Sequence, residues 1–189
     1  MKRPERPSWS GTVVCLASGP SLTAEDAEKV RAAGHPVIVT NTTFRLAPWA
    51  DVLFGMDSKW WKEYHKEVAS VFTGRKCAYA GQSFGAEMLS LAPWFPRPLN
   101  SGEGAIMLAM AGGAKRVVLL GFDCQATGGK MHHHGDHPKP LGNGASIKKW
   151  PKYFAGVAKN AARHGIVIQN ASRSTALTCF PRVTLEEVL

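Results

Sequence analysis

Val13-Val14-Cys15-Leu16-Ala17-Ser18-Gly19-Pro20-Ser21-Leu22 is the stretch on which the reading of this chain turns. Four apolar residues in a row read as a strand buried on both faces, as in a parallel sheet, and the small residues after them break it before a helix-forming run. Strand, tight turn and helix start follow one another within a few residues. In open α/β sheets a ligand crevice opens outside the carboxyl ends of the strands, where a helix N-terminus offers unpaired N–H groups to an anion. Gly19 has no side chain to obstruct a phosphate, Pro20 pre-sets the turn, and the Ser21 hydroxyl is free to cap or donate. Ser18, Gly19, Pro20 and Ser21 are therefore expected at the phosphate end of a nucleotide site. Without a ligand the same residues would make an ordinary strand-to-helix connection.

Two familiar nucleotide signatures are missing. A dinucleotide fingerprint needs G-x-G-x-x-G and an acid about 20 residues on, whereas this turn has the single Gly19 and the next strand ends in Thr40-Asn41. No G-x-x-x-x-G-K-[ST] loop occurs either.

Outward from that turn, Thr23 to Ala33 reads as a helix, with Thr23 and Asp26 at capping-box spacing and Gly34 as its stop. Val37-Ile38-Val39 is a second strand, closed by Thr40-Asn41-Thr42, and Asn41 with Thr42 is placed to hydrogen-bond a base or ribose. Val52 to Gly55 is a third strand leading to Asp57 and Ser58, which start a helix with Trp61, Tyr64, Val68 and Val71 on one face. Trp60 lies off that stripe, which suggests an exposed ring for base stacking. A fourth strand, Lys76 to Ala80, ends at Gly81-Gln82-Ser83, and Pro93 to Pro98 is too proline-rich to be regular.

Asn100-Ser101-Gly102-Glu103-Gly104 opens the other informative stretch. Asn100 and Glu103 have capping spacing, and Ala105 to Ala111 is apolar all round, which predicts a buried helix aimed at the same crevice. The strand Val117 to Leu120 then closes on Gly121-Phe122-Asp123. Asp57 and Asp123 both follow strands, where a carboxylate binds a ribose hydroxyl, holds Mg²⁺ or caps a helix. A long polar loop from 124 to 146, expected to be mobile, carries His132-His133-His134-Gly135-Asp136-His137. No zinc spacing is present, and one of these histidines acting as general base fits better. Ile147 to His164 reads as a basic amphipathic helix interrupted by Pro151. The strand Ile166 to Ile168 follows, leading to Asn170 and Ser172, and Thr184 with Glu187 predicts a last short helix.

At 189 residues and 44% hydrophobic, the chain fits one three-layer α/β domain over 11–189 after a flexible lead-in over 1–10. No run of 18 apolar residues and no signal peptide is seen, so a cytoplasmic protein with no membrane span is expected. The four cysteines form no C-x-x-C pair, which suits reduced, structural thiols. Residues 1–95 hold 11 Lys/Arg against 9 Asp/Glu, whereas 96–189 hold 12 against 5. The basic C-terminal half favours phosphate-bearing ligands, including a nucleic-acid acceptor.

The strand into Ser18-Gly19-Pro20-Ser21-Leu22, the strand into Asn41, the helix opening at Asn100-Ser101-Gly102 and the run Leu119-Leu120-Gly121-Phe122-Asp123 together resemble one superfamily. It is the Rossmann-like group that includes the glycosyltransferase family 42 sialyltransferases and the archaeal 6-hydroxymethylpterin diphosphokinases. The chain also resembles small phage and prophage proteins, including over Phe44-Arg45-Leu46-Ala47-Pro48-Trp49-Ala50-Asp51. The resemblance implies nucleotide contacts from Gly19, Ser21, Asn41, Ser101 and Gly102, and a histidine base. This chain departs from the sialyltransferases in having no tyrosine between Asp123 and Trp150 and in bringing its histidines much sooner after Asp123.

Three functions follow as expectations. A glycosyltransferase would take a nucleotide-sugar, use one of His132, His133, His134 or His137 as base, draw on helix N-termini and Lys130 for the leaving phosphate, and need no obligatory cofactor. An ATP-dependent diphosphotransferase would hold Mg²⁺ on Asp57 and Asp123. A non-enzymatic binder would dock nucleotide or nucleic acid on its basic half.

Overall fold

The computed structural model describes residues 5–79, 84–89, 91, 97–142, 144 and 146–189. In chain order its elements are β1 (Thr12–Leu16), α1 (Ala24–Ala33), β2 (Val37–Thr40), β3 (Val52–Gly55), α2 (Ser58–Val71), β4 (Arg75–Ala78), β5 (Glu87–Met88), α3 (Ser101–Ala111), β6 (Arg116–Leu120), α4 (Trp150–Arg163) and β7 (Val167–Asn170). Short 3-10 turns, Asn41–Arg45 and Ile147–Lys149, follow β2 and precede α4. The strands form one sheet in the order β5-β4-β3-β2-β1-β6-β7, with every neighbouring pair parallel.

That order sets the position of any site. The chain steps from β1 out to β5 on one side, then returns to place β6 on the other side of β1, so the order reverses between β1 and β6. In open α/β sheets this switch point is where the loops part and leave a crevice. Leu16 of β1 pairs with Leu120 of β6, so the two strands end level and their turns leave the sheet side by side.

Alternate residues of each strand serve opposite faces, as the pleat requires. Val13, Cys15, Ile38 and Phe54 pack under α3 and α4, whose Ile106, Leu108, Phe154 and Val157 are buried against them. Val14, Leu16, Val39 and Leu53 pack under α1 and α2, with Val30, Trp61 and Val68, and under the C-terminal Leu185 and Val188. The result is a Rossmann-like three-layer α/β domain. Because α3 is apolar on every side it lies deepest of the helices, and Gly104 admits the Phe54 ring where a Cβ would come 2.8 Å from Cζ. At α1 both halves of the expected capping box form, Thr23 accepting from the Asp26 N–H and the Asp26 carboxylate accepting from the Thr23 N–H.

Several expectations need correction. Trp60 is not an exposed stacking ring: it is 3% exposed, its Nε1 donates to Thr42 Oγ1 at 3.0 Å, and Phe44 meets it edge-on. The 3-10 turn after β2 lies over that side of α2 and draws Trp60 inward, while Val71, expected on the buried stripe, is 45% exposed. β4 begins at Arg75, and β5 is an edge strand of two residues that no periodicity announced. The expected turn at 81–83 and most of the proline-rich stretch, 92–96, lie outside the described residues. β7 runs to Asn170 rather than stopping at Ile168.

Thr184 and Glu187 do bond as a capping pair would, at 2.6 and 2.9 Å, but the segment is a turn rather than a helix. Residues 5–10 of the expected flexible lead-in are laid against the body. The Trp9 N–H donates to Gly112 O at 2.7 Å, Pro7 is buried, and Arg75 donates to Glu5 O. All four cysteines are free thiols. Among the described residues no helix is long and apolar enough to cross a membrane.

Candidate functional site

At the carboxyl ends of β1, β2 and β6 lies a cavity of about 630 Å³. Its wall is built from the ends of elements. Ser18 and Gly19 follow β1, Asn41 follows β2, Asp57 and Ser58 start α2, Asn100, Ser101 and Gly102 start α3, and Gly121 to Gln125 follow β6. His132 and His137 come from the long loop, and Trp150 and Phe154 from α4.

The turn after β1 is held by the turn after β6. Gly19 N–H donates to Gly121 O at 2.8 Å, Ser21 N–H and Oγ donate to the Asp123 carboxylate at 2.9 and 2.6 Å, and Leu22 N–H donates to Gly19 O. Thr127 Oγ1 adds a third donor to Asp123, at 2.9 Å. Burial pushes the Asp123 carboxyl up from its ordinary range, and the Ser21 and Thr127 donors pull it back. A side chain on Gly19 would run into Asp123 and Gly121, and Gly121 itself has a φ of +69°, so both glycines are demanded by the contact between turns. The consequence corrects the expected phosphate cradle. Every N–H from Gly19 to Leu22 already has an acceptor, Pro20 having none to give, so this turn walls the cavity instead of wrapping an anion.

The start of α3 is different. Asn100 Oδ1 caps the helix by accepting from Glu103 N–H at 2.8 Å, and Asn100 Nδ2 is buried with no hydrogen-bond partner. In a helix beginning at Ser101, the N–H groups of Ser101 and Gly102 have no carbonyl a turn behind them. Ser101 Oγ donates to Asn41 Oδ1 at 3.1 Å and accepts from Met56 N–H at 3.1 Å, tying the ends of β2, β3 and α3 together. Asn41 takes this position with a φ of +48°, a conformation asparagine tolerates better than most residues. Asn100, Ser101 and Gly102, at the start of α3, thus form one wall of the cavity.

The histidines separate into two pairs. His132 is 7% exposed and lines the cavity, its Nδ1 lies 3.1 Å from Ser18 Oγ, and its Nε2 has no partner. His137 also lines the cavity, with Nδ1 3.0 Å from the Tyr64 hydroxyl. His133 and His134 do not line it. His133 N–H anchors the loop to Ser18 O at 2.9 Å, and the His134 ring stacks on His132 with 5.1 Å between centroids. The loop expected to be mobile is thereby docked at both of its first histidines. Burial, helped by the neighbouring imidazoles, pulls His132 and His133 down to about 4 and His134 to about 3. Burial also lowers His137. All four are neutral near pH 7.

Of the residues expected from sequence, Ser18, Gly19, Asn41, Asp57, Asn100, Ser101, Gly102, Gly121, Asp123, His132 and His137 meet in this cavity. Pro20, Ser21, Thr42, His133 and His134 stand behind its wall. Asp57 caps α2, accepting from Lys59 N–H at 2.8 Å, and Asp123 is committed to the turns. Among the described residues no group of three or more His, Cys, Asp or Glu is placed to hold a metal ion. Lys130 sits in an exposed turn away from the cavity, and the cation on the wall is Arg97. Sequence reasoning missed Arg97 and the aromatic side of the cavity, Phe122, Trp150 and Phe154. The signal was present for the last two: they lie four residues apart on the amphipathic stripe of α4.

Comparison with known proteins returned no matching family model, no matching curated protein and no matching solved structure. The fold and the cavity therefore carry the functional argument alone.

Proposed function

We propose that this chain is a nucleotide-dependent transferase, and that it moves a glycosyl group from a nucleotide-sugar to an acceptor hydroxyl. The observation that carries the reading is the pairing of His132, buried and with Nε2 unpartnered, with an anion-suited helix start in one cavity at the switch point. The donor phosphate would accept from Ser101 and Gly102 N–H and from Asn100 Nδ2, where the helix dipole also favours negative charge. The flat Trp150 and Phe154 side suits a base or sugar ring.

With its proton on Nδ1 and donated to Ser18 Oγ, His132 presents the Nε2 lone pair. The acceptor oxygen would attack the anomeric carbon as Nε2 takes its proton. The bond from that carbon to the phosphate oxygen breaks, and the electron pair leaves with the phosphate, whose new charge falls on the α3 amides. An imidazole held neutral has a lone pair to take a proton, and burial makes it a weaker base than a solvated histidine.

Diphosphoryl transfer is the less supported reading. It would place Mg²⁺ on Asp57 and Asp123, yet both Asp123 oxygens already accept hydrogen bonds from the turns. Thermal unfolding against CMP, CDP, UDP, GDP, ADP and ATP, each with and without Mg²⁺, tests the proposal. A ligand at 100 times its Kd adds about 2.7 kcal/mol, a shift of several degrees in a domain of this size. A shift with one nucleoside mono- or diphosphate without metal is expected. A shift confined to ATP with Mg²⁺ would move the assignment to diphosphoryl transfer, and no shift with any of them would overturn both.

A further inference from the structure

Of the twelve Lys and Arg in 96–189, Arg173 is paired with the buried Asp26, while Arg116 is turned to Thr12 and the Val188 carbonyl and Arg182 to the Ser172 and Arg173 carbonyls. Arg97, Lys115, Lys130 and Lys139 are exposed and scattered along the chain, and the densest group is 147–163, which holds Lys148, Lys149, Lys152, Lys159 and Arg163 and no acidic residue. None of these five takes part in an ion pair among the described residues.

Helix geometry places them in a line. At 100° per residue, Lys152, Lys159 and Arg163 fall within about 40° of one another, and they span about 16 Å of helix axis. The buried residues of α4, Phe154, Val157 and Ala161, centre on the opposite side, so the basic row points straight away from the core. Lys152, Lys159 and Arg163 are all exposed. The row also leads somewhere. Ile147 and Trp150, which bracket Lys148 and Lys149, line the cavity.

We infer that the outer face of α4 binds a nucleic-acid strand along this row and delivers one of its nucleotides, as acceptor, to the cavity mouth. The delivery step rests on the transferase reading; the binding surface does not. A linear row of unpaired cations matches a linear chain of phosphates. An anionic membrane fits less well, because the apolar face of α4 is buried in the core and none of the exposed large apolar side chains, Val71, Phe84, Met88, Leu99, Val167 and Leu189, belongs to α4.

The test is fluorescence anisotropy with labelled 20-nucleotide single-stranded DNA, the matching RNA and a DNA duplex, from 50 to 200 mM salt. Five phosphate contacts to a single strand predict an affinity loss of about a hundredfold across that range. The triple variant K152Q/K159Q/R163Q, altered only at exposed positions, is expected to flatten the log–log salt slope by about 2 while keeping its melting temperature. No binding at 50 mM salt, or equal binding and slope in the variant, would overturn the inference. Binding to phosphatidylserine vesicles without binding to any oligonucleotide would overturn it as well. The nucleotide panel run on both proteins separates the two proposals. Oligonucleotide binding with no mononucleotide shift would uphold the surface and overturn the transferase reading, whereas a retained mononucleotide shift without oligonucleotide binding would do the reverse.

Discussion

His132 is fixed by Ser18 on one ring nitrogen and stacked on His134, and its other nitrogen is left without a partner. Replacing it with Gln keeps a polar group of similar reach but removes the proton-accepting imidazole. We expect His132→Gln to lower kcat for the donor found in the nucleotide panel by about 10²–10⁴-fold and to leave the nucleotide-induced melting shift in place. An equal loss of the shift would make His132 a binding residue instead. The same burial has a pH consequence. His132, His133 and His134 titrate below their ordinary 6.5 in the folded chain, so the unfolded chain takes up protons first as the solution is acidified. Stability is then fully present above about pH 6.5 and is lost as pH falls towards 4, by about 1 kcal/mol per pH unit for His132. Melting temperature measured from pH 7.5 to 4.5 should fall over that window, and His132→Gln should flatten the curve.

The start of α3 allows cap and ligand contact to be separated at one position. Asp in place of Asn100 still accepts from Glu103 N–H and suits a helix N-terminus, but it loses the Nδ2 donor and brings a negative charge to the cavity wall. Asn100→Asp is expected to hold its melting temperature within about 2 °C and to weaken nucleotide binding at least tenfold by calorimetric titration. Unchanged affinity would remove the α3 start from the site. The elements that build this wall were legible in the sequence because continuous apolar runs such as Val117 to Leu120, and cap spacings such as Asn100 to Glu103, are local signals. What was not legible depended on partners far along the chain. Trp60 lies off the expected stripe of its helix, and only the 3-10 turn carrying Phe44 explains its burial. The two residues of β5 have no pattern of their own, and Gly19 reads as a phosphate glycine until Asp123, over a hundred residues away, is seen to fill the space.

For the molecule as a whole, residues 5–10 belong to the structure they precede. Trp9 lies over Gly112 at the end of α3, and Glu5 receives a hydrogen bond from Arg75 of β4. Removing residues 1–10 should therefore destabilise the domain by about 2 kcal/mol, the value of one large apolar side chain, and lower its melting temperature by about 5 °C. A dispensable leader would leave it unchanged. Scale also explains why histidines could be named from sequence but not sorted. Adjacent positions such as His132 and His133 alternate between cavity and anchor only once the loop is docked on Ser18. The bond between Ser21 and Asp123 reaches further than any one site. Exchanging Ser21 alone removes one of three donors to Asp123, whereas exchanging Asp123 alone strips the acceptor from Ser21 N–H, Ser21 Oγ and Thr127 Oγ1 together, so the first turn depends on a residue more than a hundred positions away. The shape of the first turn is thus inherited as a pair of distant letters rather than as a short word.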